Sequence, residues 1–380
     1  MFLGERPGGV GRYATELPGA VLDAEPNSKV CVFVSRDAPA TLRQEPWADS
    51  VRWVTLPAGH SDPVAQKLAQ FALLPSIALR HGLDVLHSPA NTGPVITPGL
   101  ASVVTLHDLI WLHRAAEWES SPRVQRRMSR LVGHCVRHAD RIFAVSHAAA
   151  EDFVRTLGVP RERIDVTSQG VWPADTAPSP PEFELRGRLE LGDARVVLCV
   201  AQKRPYKNLH SLVRALADLD DDVVLVLPGS STGYETELRA LADELGVAAR
   251  VRFPDWLSDE ELNGLYALSQ IFVLPSLIEG FGLPVLEAMD RGVPVACSNI
   301  SALPEVAGDA ALTFDPERQE EVTAAVRRLL DDRALAERLV VRGYERVREF
   351  TWRRAGEASL AGYRGAMRAH GGRVSTRAIS

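Results

Sequence analysis

Short apolar runs rich in β-branched residues alternate with longer stretches of helical period along nearly the whole chain, a pattern that commits it to parallel sheets covered by helices on both faces. In the first half the strand candidates are Val30 to Ser35, Val51 to Leu56, Val85 to Ser88, Ser102 to Leu106, Arg141 to Ser146 and Ile164 to Ser168. The alternation then breaks at WPADTAPSPP, Trp172 to Pro181, which holds four prolines and reads as a linker. It restarts with Val196 to Ala201, Val223 to Leu227, Arg250 to Phe253, Ile271 to Leu274 and Val293 to Cys297. With 380 residues there is length for two domains, each with its own core. The expected boundaries are 1–175 for the first domain, 176–185 for the linker, 186–350 for the second domain and 351–380 for a C-terminal helix and tail that packs back on the first. A doubly wound domain normally opens with a strand before its glycine-rich turn, yet here the turn starts at Pro7, so the first strand is expected to be missing; the expectation is that the true start lies about ten residues upstream, or that this chain is less stable than its longer form.

Composition removes several classes of function. Forty-nine acidic residues against forty-three basic ones give a net charge of -6, so no global basic field holds nucleic acid. The longest apolar run, Val196 to Ala201, is far short of the roughly 20 residues of a membrane span. The opening MFLGERPGG lacks the basic and apolar regions of a secretory signal, and the four scattered cysteines read as buried thiols, so a cytoplasmic protein is expected. The helical stretch from Pro122 to Ala139 carries Arg123, Arg126, Arg127, Arg130 and Arg137 off its apolar stripe. Two readings stand for them: a solvated face, or a patch for a membrane surface or anionic acceptor.

Four segments have the composition of ligand sites. Pro7-Gly8-Gly9-Val10-Gly11-Arg12-Tyr13 precedes a helix, so its amides can face an anion, although glycines before a helix also make simple turns. His107-Asp108 follows a strand, at the carboxyl end where open α/β sheets bind ligands. There His107 can donate to a hydroxyl or a developing charge, or instead cap a helix or fill the core. Gln202-Lys203-Arg204-Pro205-Tyr206-Lys207 puts three cations over five residues at a strand-to-helix turn, which suits a phosphate or a solvated basic loop. The most informative run is Leu274 to Met289, in which Glu279 and Glu287 flank Gly280-Phe281-Gly282-Leu283 and Pro284 opens a helix. Two carboxylates in this setting suit acceptance of hydrogen bonds from ribose and sugar hydroxyls. No acidic pair at a strand end, G-x-S-x-G elbow or H-E-x-x-H helix supports a metal site or a hydrolase.

With these residues in order, nearly the whole chain resembles the retaining GT-B glycosyltransferases of family 4, the glycosyl transferases group 1 with an E-x7-E motif. FLGERPGGVGRYATEL, HSPANTGPV, VVTLHDL and AVSHAAAEDFVRTLGVPRERIDVTSQGV resemble the first-domain motifs. KRPYKNL, FPDWLSDEELNGLYALSQIFVLPSLIEGFGLPVLEAM and ISALPEVAGDAALTFDP follow in family order. The resemblance implies an α/β fold with two Rossmann-like doubly wound domains facing a central cleft. It implies a nucleoside-diphosphate sugar as donor, a glycan, lipid-linked or small-molecule acceptor, no cofactor and no metal, and peripheral contact with the inner membrane face as one option. Carried over by position, Glu279 holds the donor sugar and Glu287 the ribose. Lys207 neutralises the diphosphate together with the amide of Gly9, His107 contacts the sugar near the reacting carbon, and Gly280, Phe281, Gly282 and Leu283 form the donor loop. The base is expected near Pro228 to Ser230 and Trp256 to Ser258. Similar enzymes retain the anomeric configuration, the leaving phosphate taking the acceptor proton.

The phosphate turn departs from the family pattern: Ala201 and Gln202 stand where many relatives have Gly-Arg, so Lys203 or Arg204 is expected to supply the missing charge. That departure and the missing strand keep two alternatives in view, a catalytically silent nucleotide-sugar-binding module and another GT-B enzyme such as a nucleotide-sugar epimerase or a phosphorylase.

Overall fold

A computed structural model describes residues 8–59, 62–94, 96–117, 121–172 and 179–377. Residues 1–7, on which the expectation of a missing opening strand bears, and 173–178 of the proline-rich segment lie outside the described residues. The chain divides into two compact units, one formed by Met1–Ala115, Glu119–Gly170 and Phe350–Ser380, the other by Val171–Glu349 with Ala116–Trp118.

In the first unit, β1 (Cys31–Val34) and β2 (Arg52–Thr55) pair in parallel, and β3 (Val85–Ser88), β4 (Ala101–Leu106), β5 (Arg141–Ala144) and β6 (Ile164–Val166) form a parallel sheet in that order. Phe33, Leu56 and Leu86 share one core with Leu74 and Ala78, so both sheets bury apolar side chains into the same interior. The helix Trp352–Arg377 packs against the helix Gly9–Ala24, with Tyr13, Leu17 and Val21 against Trp352, Leu360 and Tyr363. A buried polar chain lies under this contact. His87 bonds Tyr363 Oη at 2.8 Å and Thr105 Oγ1 at 2.7 Å, and Thr105 meets Tyr13 Oη at 3.2 Å. Burial, reinforced by nearby His107, holds His87 down to about 3, so the network is built on a neutral imidazole.

The second unit is one parallel sheet in the order β12-β11-β10-β7-β8-β9, made of β7 (Arg195–Leu198), β8 (Val223–Val226), β9 (Val251–Arg252), β10 (Ser269–Leu274), β11 (Val295–Ser298) and β12 (Ala311–Phe314). β12 was not expected from sequence: it is an edge strand with three of four positions partly or fully exposed, so its apolar run is short. The chain runs from β7 outward through β8 and β9, then returns to the other side of β7 as β10. The gap between the carboxyl ends of β7 and β10 is therefore the sheet's topological switch point, where open α/β sheets bind ligands.

The stretch expected as linker, 176–185, includes helical residues at its end. Glu182–Arg188 form a helix after Pro181, and buried Leu185 packs on Gly264. Cys135, Cys199 and Cys297 are buried, Cys31 is half-buried, and all four are free thiols. Among the described residues no helix is long and apolar enough to cross a membrane.

Candidate active site

Two turns meet at the switch point. The turn after β7 carries Tyr206 and Lys207 and ends at Asn208, whose side-chain amide donates to Pro316 O at 2.8 Å. The turn after β10 carries Ser276 and Glu279, and its Leu277 N donates to Tyr206 O at 2.8 Å, which fixes one turn to the other through backbone.

The result is a close ion pair. Lys207 Nζ donates to Glu279 Oε1 at 2.6 Å, with the two side chains only 14% and 10% exposed. Ser276 Oγ donates to the same oxygen at 2.7 Å. Burial pulls the Lys207 ammonium down, but the charge of Glu279 outweighs it, and the pKa ends above the ordinary lysine value. Among the described residues Glu279 Oε2 and the other ammonium hydrogens of Lys207 make no hydrogen bond, so the pair presents an open acceptor beside an open cation. Ser301 clamps the backbone of Glu279 from the loop after β11. Glu279 N donates to Ser301 Oγ at 3.0 Å, and Ser301 Oγ donates to Glu279 O at 2.6 Å. Ser301 does so at φ 60°, a left-handed conformation that costs a non-glycine residue about 1 kcal/mol.

Beyond Glu279, Gly280, Phe281, Gly282 and Leu283 lead into the helix Leu283–Asp290. Gly282 sits at φ 105°, and a Cβ there would lie 2.4 Å from Leu303 Cδ2, so only glycine fits the entry to the helix. Sequence had Pro284 open this helix, which would put Glu287 in its first turn. The helix starts at Leu283, which moves Glu287 just past that turn, where it is 7% exposed. Tyr266 Oη donates to Glu287 Oε2 at 3.1 Å, and Arg291 donates to Glu287 O at 3.1 Å while its guanidinium lies over the Tyr266 ring. Burial, followed by the Glu287 charge, drives the Tyr266 phenol far up, so it stays a donor.

Lys203 does not belong to this constellation, which corrects the expectation that it faces a diphosphate. It is fully buried, donates to Gly229 O and to Pro254 O at 3.3 Å, and pairs with Glu235 at 3.1 Å. Its role is to join the turns after β7, β8 and β9. Gly229 is part of the same join, since at φ 140° a Cβ would sit 2.3 Å from Ala201 O. Burial lowers the Lys203 pKa despite Glu235. Arg204 is half-buried on the same turn, and Gln202 is exposed. The segments 228–230 and 256–258 follow β8 and β9 at the carboxyl edge of the sheet.

In the first unit, Gly9 opens the 16-residue helix Gly9–Ala24, and its amide is one of those a helix leaves without an internal partner. His107 follows β4. Its backbone N donates to Asn91 Oδ1 at 3.0 Å, its Nε2 to Pro89 O at 3.0 Å, and its ring stands edge-on to Tyr13 with centroids 5.0 Å apart. Burial lowers His107 to about 4, so the ring is neutral at pH 7 with its proton committed to Pro89. The remaining Nδ1 is an acceptor, not the donor that sequence suggested. Asp108 Oδ1 accepts from Ile110 N at 3.0 Å, as a turn residue does.

Sequence reasoning passed over Ser276, Ser301 and Tyr266. Among the described residues, no group of three or more His, Cys, Asp or Glu side chains is placed to hold a metal ion.

Residues 182–346 match the family described as "Glycosyl transferases group 1", and residues 7–174 match "Glycosyltransferase Family 4". The chain is similar to the O-antigen chain mannosyltransferase B of Escherichia coli, with 32% identity over 69% of this chain and 70% of that one. It is also similar to the MMP alpha-(1->4)-mannosyltransferase of Mycolicibacterium hassiacum, with 31% identity over 81% of this chain and 76% of that one. Its fold matches Anabaena Alr3699/HepE, solved in complex with UDP-glucose, at a TM-score of 0.71 and 19% identity, over 94% of this chain and 97% of that one.

Proposed function

Because the chain belongs to the glycosyl transferases group 1, with the family 4 region in its first half, we propose that it moves a hexose or deoxyhexose from a nucleoside diphosphate to a glycan, lipid-linked or small-molecule acceptor. The transfer retains the anomeric configuration and uses no metal, and the names of the two relatives favour a mannosyl donor. The observation that carries this reading is the Lys207–Glu279 pair at the switch point, with an open cation next to an open carboxylate oxygen. Lys207, with Arg204, stabilises the departing diphosphate, while Glu279 Oε2 accepts from a donor-sugar hydroxyl. Glu287, steadied by Tyr266, accepts from the ribose hydroxyls. The donor loop Gly280–Leu283 brings backbone to the substrate, and Gly9 offers an amide to phosphate. His107 Nδ1 accepts from a substrate hydroxyl. As the bond from sugar C1 to phosphate oxygen breaks, a bond to the acceptor oxygen forms on the same face and the acceptor proton passes to the departing phosphate. The protein's part is fixed charge at the place where charge develops.

A thermal-shift series against UDP, GDP, ADP and dTDP without metal tests the donor site. One nucleotide at 100 times its dissociation constant is expected to stabilise the chain by about 2.7 kcal/mol. The shift should vanish in Glu287→Ala. No shift from any nucleotide, or a shift that Glu287→Ala leaves intact, overturns the assignment. Transfer abolished by Glu279→Ala separates the enzyme from a nucleotide-sugar-binding module. Ser301 provides a finer check. Ser301→Ala is expected to raise the donor KM about tenfold, because two hydrogen bonds that aim Glu279 are lost. Ser301→Gly relieves the backbone strain and should still lose the tenfold. An unchanged KM in both variants means the clamp has no part in holding the sugar.

A further inference from the structure

Two histidines stand near the carboxyl ends of neighbouring strands in the first unit, and they are held differently. His87, on β3, has both ring nitrogens engaged, Nδ1 with Tyr363 Oη and Nε2 with Thr105 Oγ1, as a histidine that fills a core should. His107, just past β4, is 5% exposed and has one nitrogen engaged, Nε2 with Pro89 O. Among the described residues its Nδ1 makes no hydrogen bond. The phenol beside it does not supply one. Tyr13 packs its ring perpendicular to that of His107 but sends its hydroxyl to Thr105 Oγ1 at 3.2 Å. Thr105 is pinned by His87, and His87 by Tyr363, so a chain that starts on the C-terminal helix ends on the ring facing His107. Trp352 backs Tyr13, with ring centroids 6.3 Å apart. The loop that supplies Pro89 O is tied as well, since Asn91 Oδ1 accepts from His107 N and Gln70 donates to Thr92 O at 3.1 Å.

From this contrast we infer that Tyr13 is a positioning residue for His107: its ring holds the imidazole in the orientation that gives Nε2–H to Pro89 O and leaves Nδ1 for a substrate hydroxyl, while its own hydroxyl anchors that ring on Thr105. The substrate half of the statement rests on the function proposed above. An imidazole fixed by one hydrogen bond can still turn about that bond, and an aromatic ring packed against it removes the freedom. The same ring keeps water away, and burial is what holds His107 down to about 4 against the contrary pull of Pro89 O. The titratable groups facing it are Tyr13, which burial pushes up, and His87, which burial pushes down to about 3, so both are uncharged at pH 7. Asp108, next in the chain, spends Oδ1 on Ile110 N.

Histidine-selective NMR of the full chain, with the His107 signal assigned by its loss in His107→Gln, reads this imidazole without any substrate. Between pH 5 and 8 the signal should stay flat in the parent and in Tyr13→Phe, which keeps the ring. In Tyr13→Met water reaches the imidazole, and His107 should titrate within that range, because loss of burial raises its pKa toward the ordinary histidine value. Protonated Nδ1 cannot accept, so transfer by Tyr13→Met, relative to the parent, should be about fivefold lower at pH 5.5 than at pH 8. Tyr363→Phe loses one buried hydrogen bond at the far end of the chain; it should lower Tm by roughly 2–4 °C, as Tyr13→Phe does, and leave the titration flat. A folded Tyr13→Met with a flat His107 signal overturns the inference, as does a Tyr13→Phe in which His107 titrates. In Tyr13→Phe the nuclear Overhauser contact between the two rings should persist, and its absence overturns the inference whether or not Tyr13→Met folds. A signal that titrates in Tyr13→Met while the pH dependence of transfer stays that of the parent upholds the hold of Tyr13 on His107 and removes His107 from the proposed transfer instead.

Discussion

Replacing Glu279 with alanine is expected to lower the transfer rate about a thousandfold, a barrier increase of roughly 4 kcal/mol. Two losses combine. Oε2, the open acceptor assigned to the donor sugar, disappears, and Lys207 loses the partner 2.6 Å away that holds its ammonium in place. The second loss also destabilises the fold, because Lys207 is 14% exposed and a buried charge left without its partner costs about 3 kcal/mol. For a unit of this size that corresponds to a fall in Tm of roughly 6–12 °C. A nucleoside diphosphate should restore part of the fall, since its phosphates take over the role of the lost carboxylate. Glu279→Gln keeps an acceptor for Ser276 and should unfold at a higher temperature than Glu279→Ala. Initial rates and melting curves on the same preparations decide the matter; an alanine variant retaining a tenth of the parent rate contradicts the assignment.

Lys203→Met separates two cations that look alike in the sequence. The ammonium of Lys203 is spent on Gly229 O, Pro254 O and Glu235, so its removal should cost about 3 kcal/mol and again lower Tm by roughly 6–12 °C. The donor KM of the protein that remains folded should change less than twofold. Lys207→Met should do the opposite where the donor is concerned and raise KM or abolish transfer. A Lys203→Met variant with the parent Tm and a donor KM raised tenfold would return Lys203 to the diphosphate.

These two lysines also show where sequence reading stops. Central strands such as β7, β8 and β10 are nearly continuous apolar runs because both faces are buried, and the two-domain alternation could be read from them directly. β12 escaped because an edge strand has solvent on one side. The helix that follows Glu279 and carries Glu287 was legible, because a glycine and proline turn opens it. Which of three basic residues faces outward depends on Gly229 and Pro254, 26 and 51 residues further along the chain, and local sequence carries no trace of such a contact. The clamp by Ser301 was invisible for the same reason, being a contact across 22 residues made by a serine in a conformation that serine seldom adopts. For His107 the position was legible and the protonation was not, because its neutrality comes from burial against Tyr13 and a carbonyl.

The membership of the helix Trp352–Arg377 in the first unit sets an order on biosynthesis. The strands of that unit have all been synthesised by Gly170, but the helix that closes over Tyr13, Leu17 and Val21 is made only after the whole of Val171–Glu349. At 5–20 residues per second that delay is on the order of 10–40 s. The domain translated first is thus the last to be completed, with an apolar face awaiting its cover while its neighbour already folds. Release of a chain truncated before Phe350 would leave a finished second unit tethered to an unfinished first one, a natural substrate for chaperones and proteases.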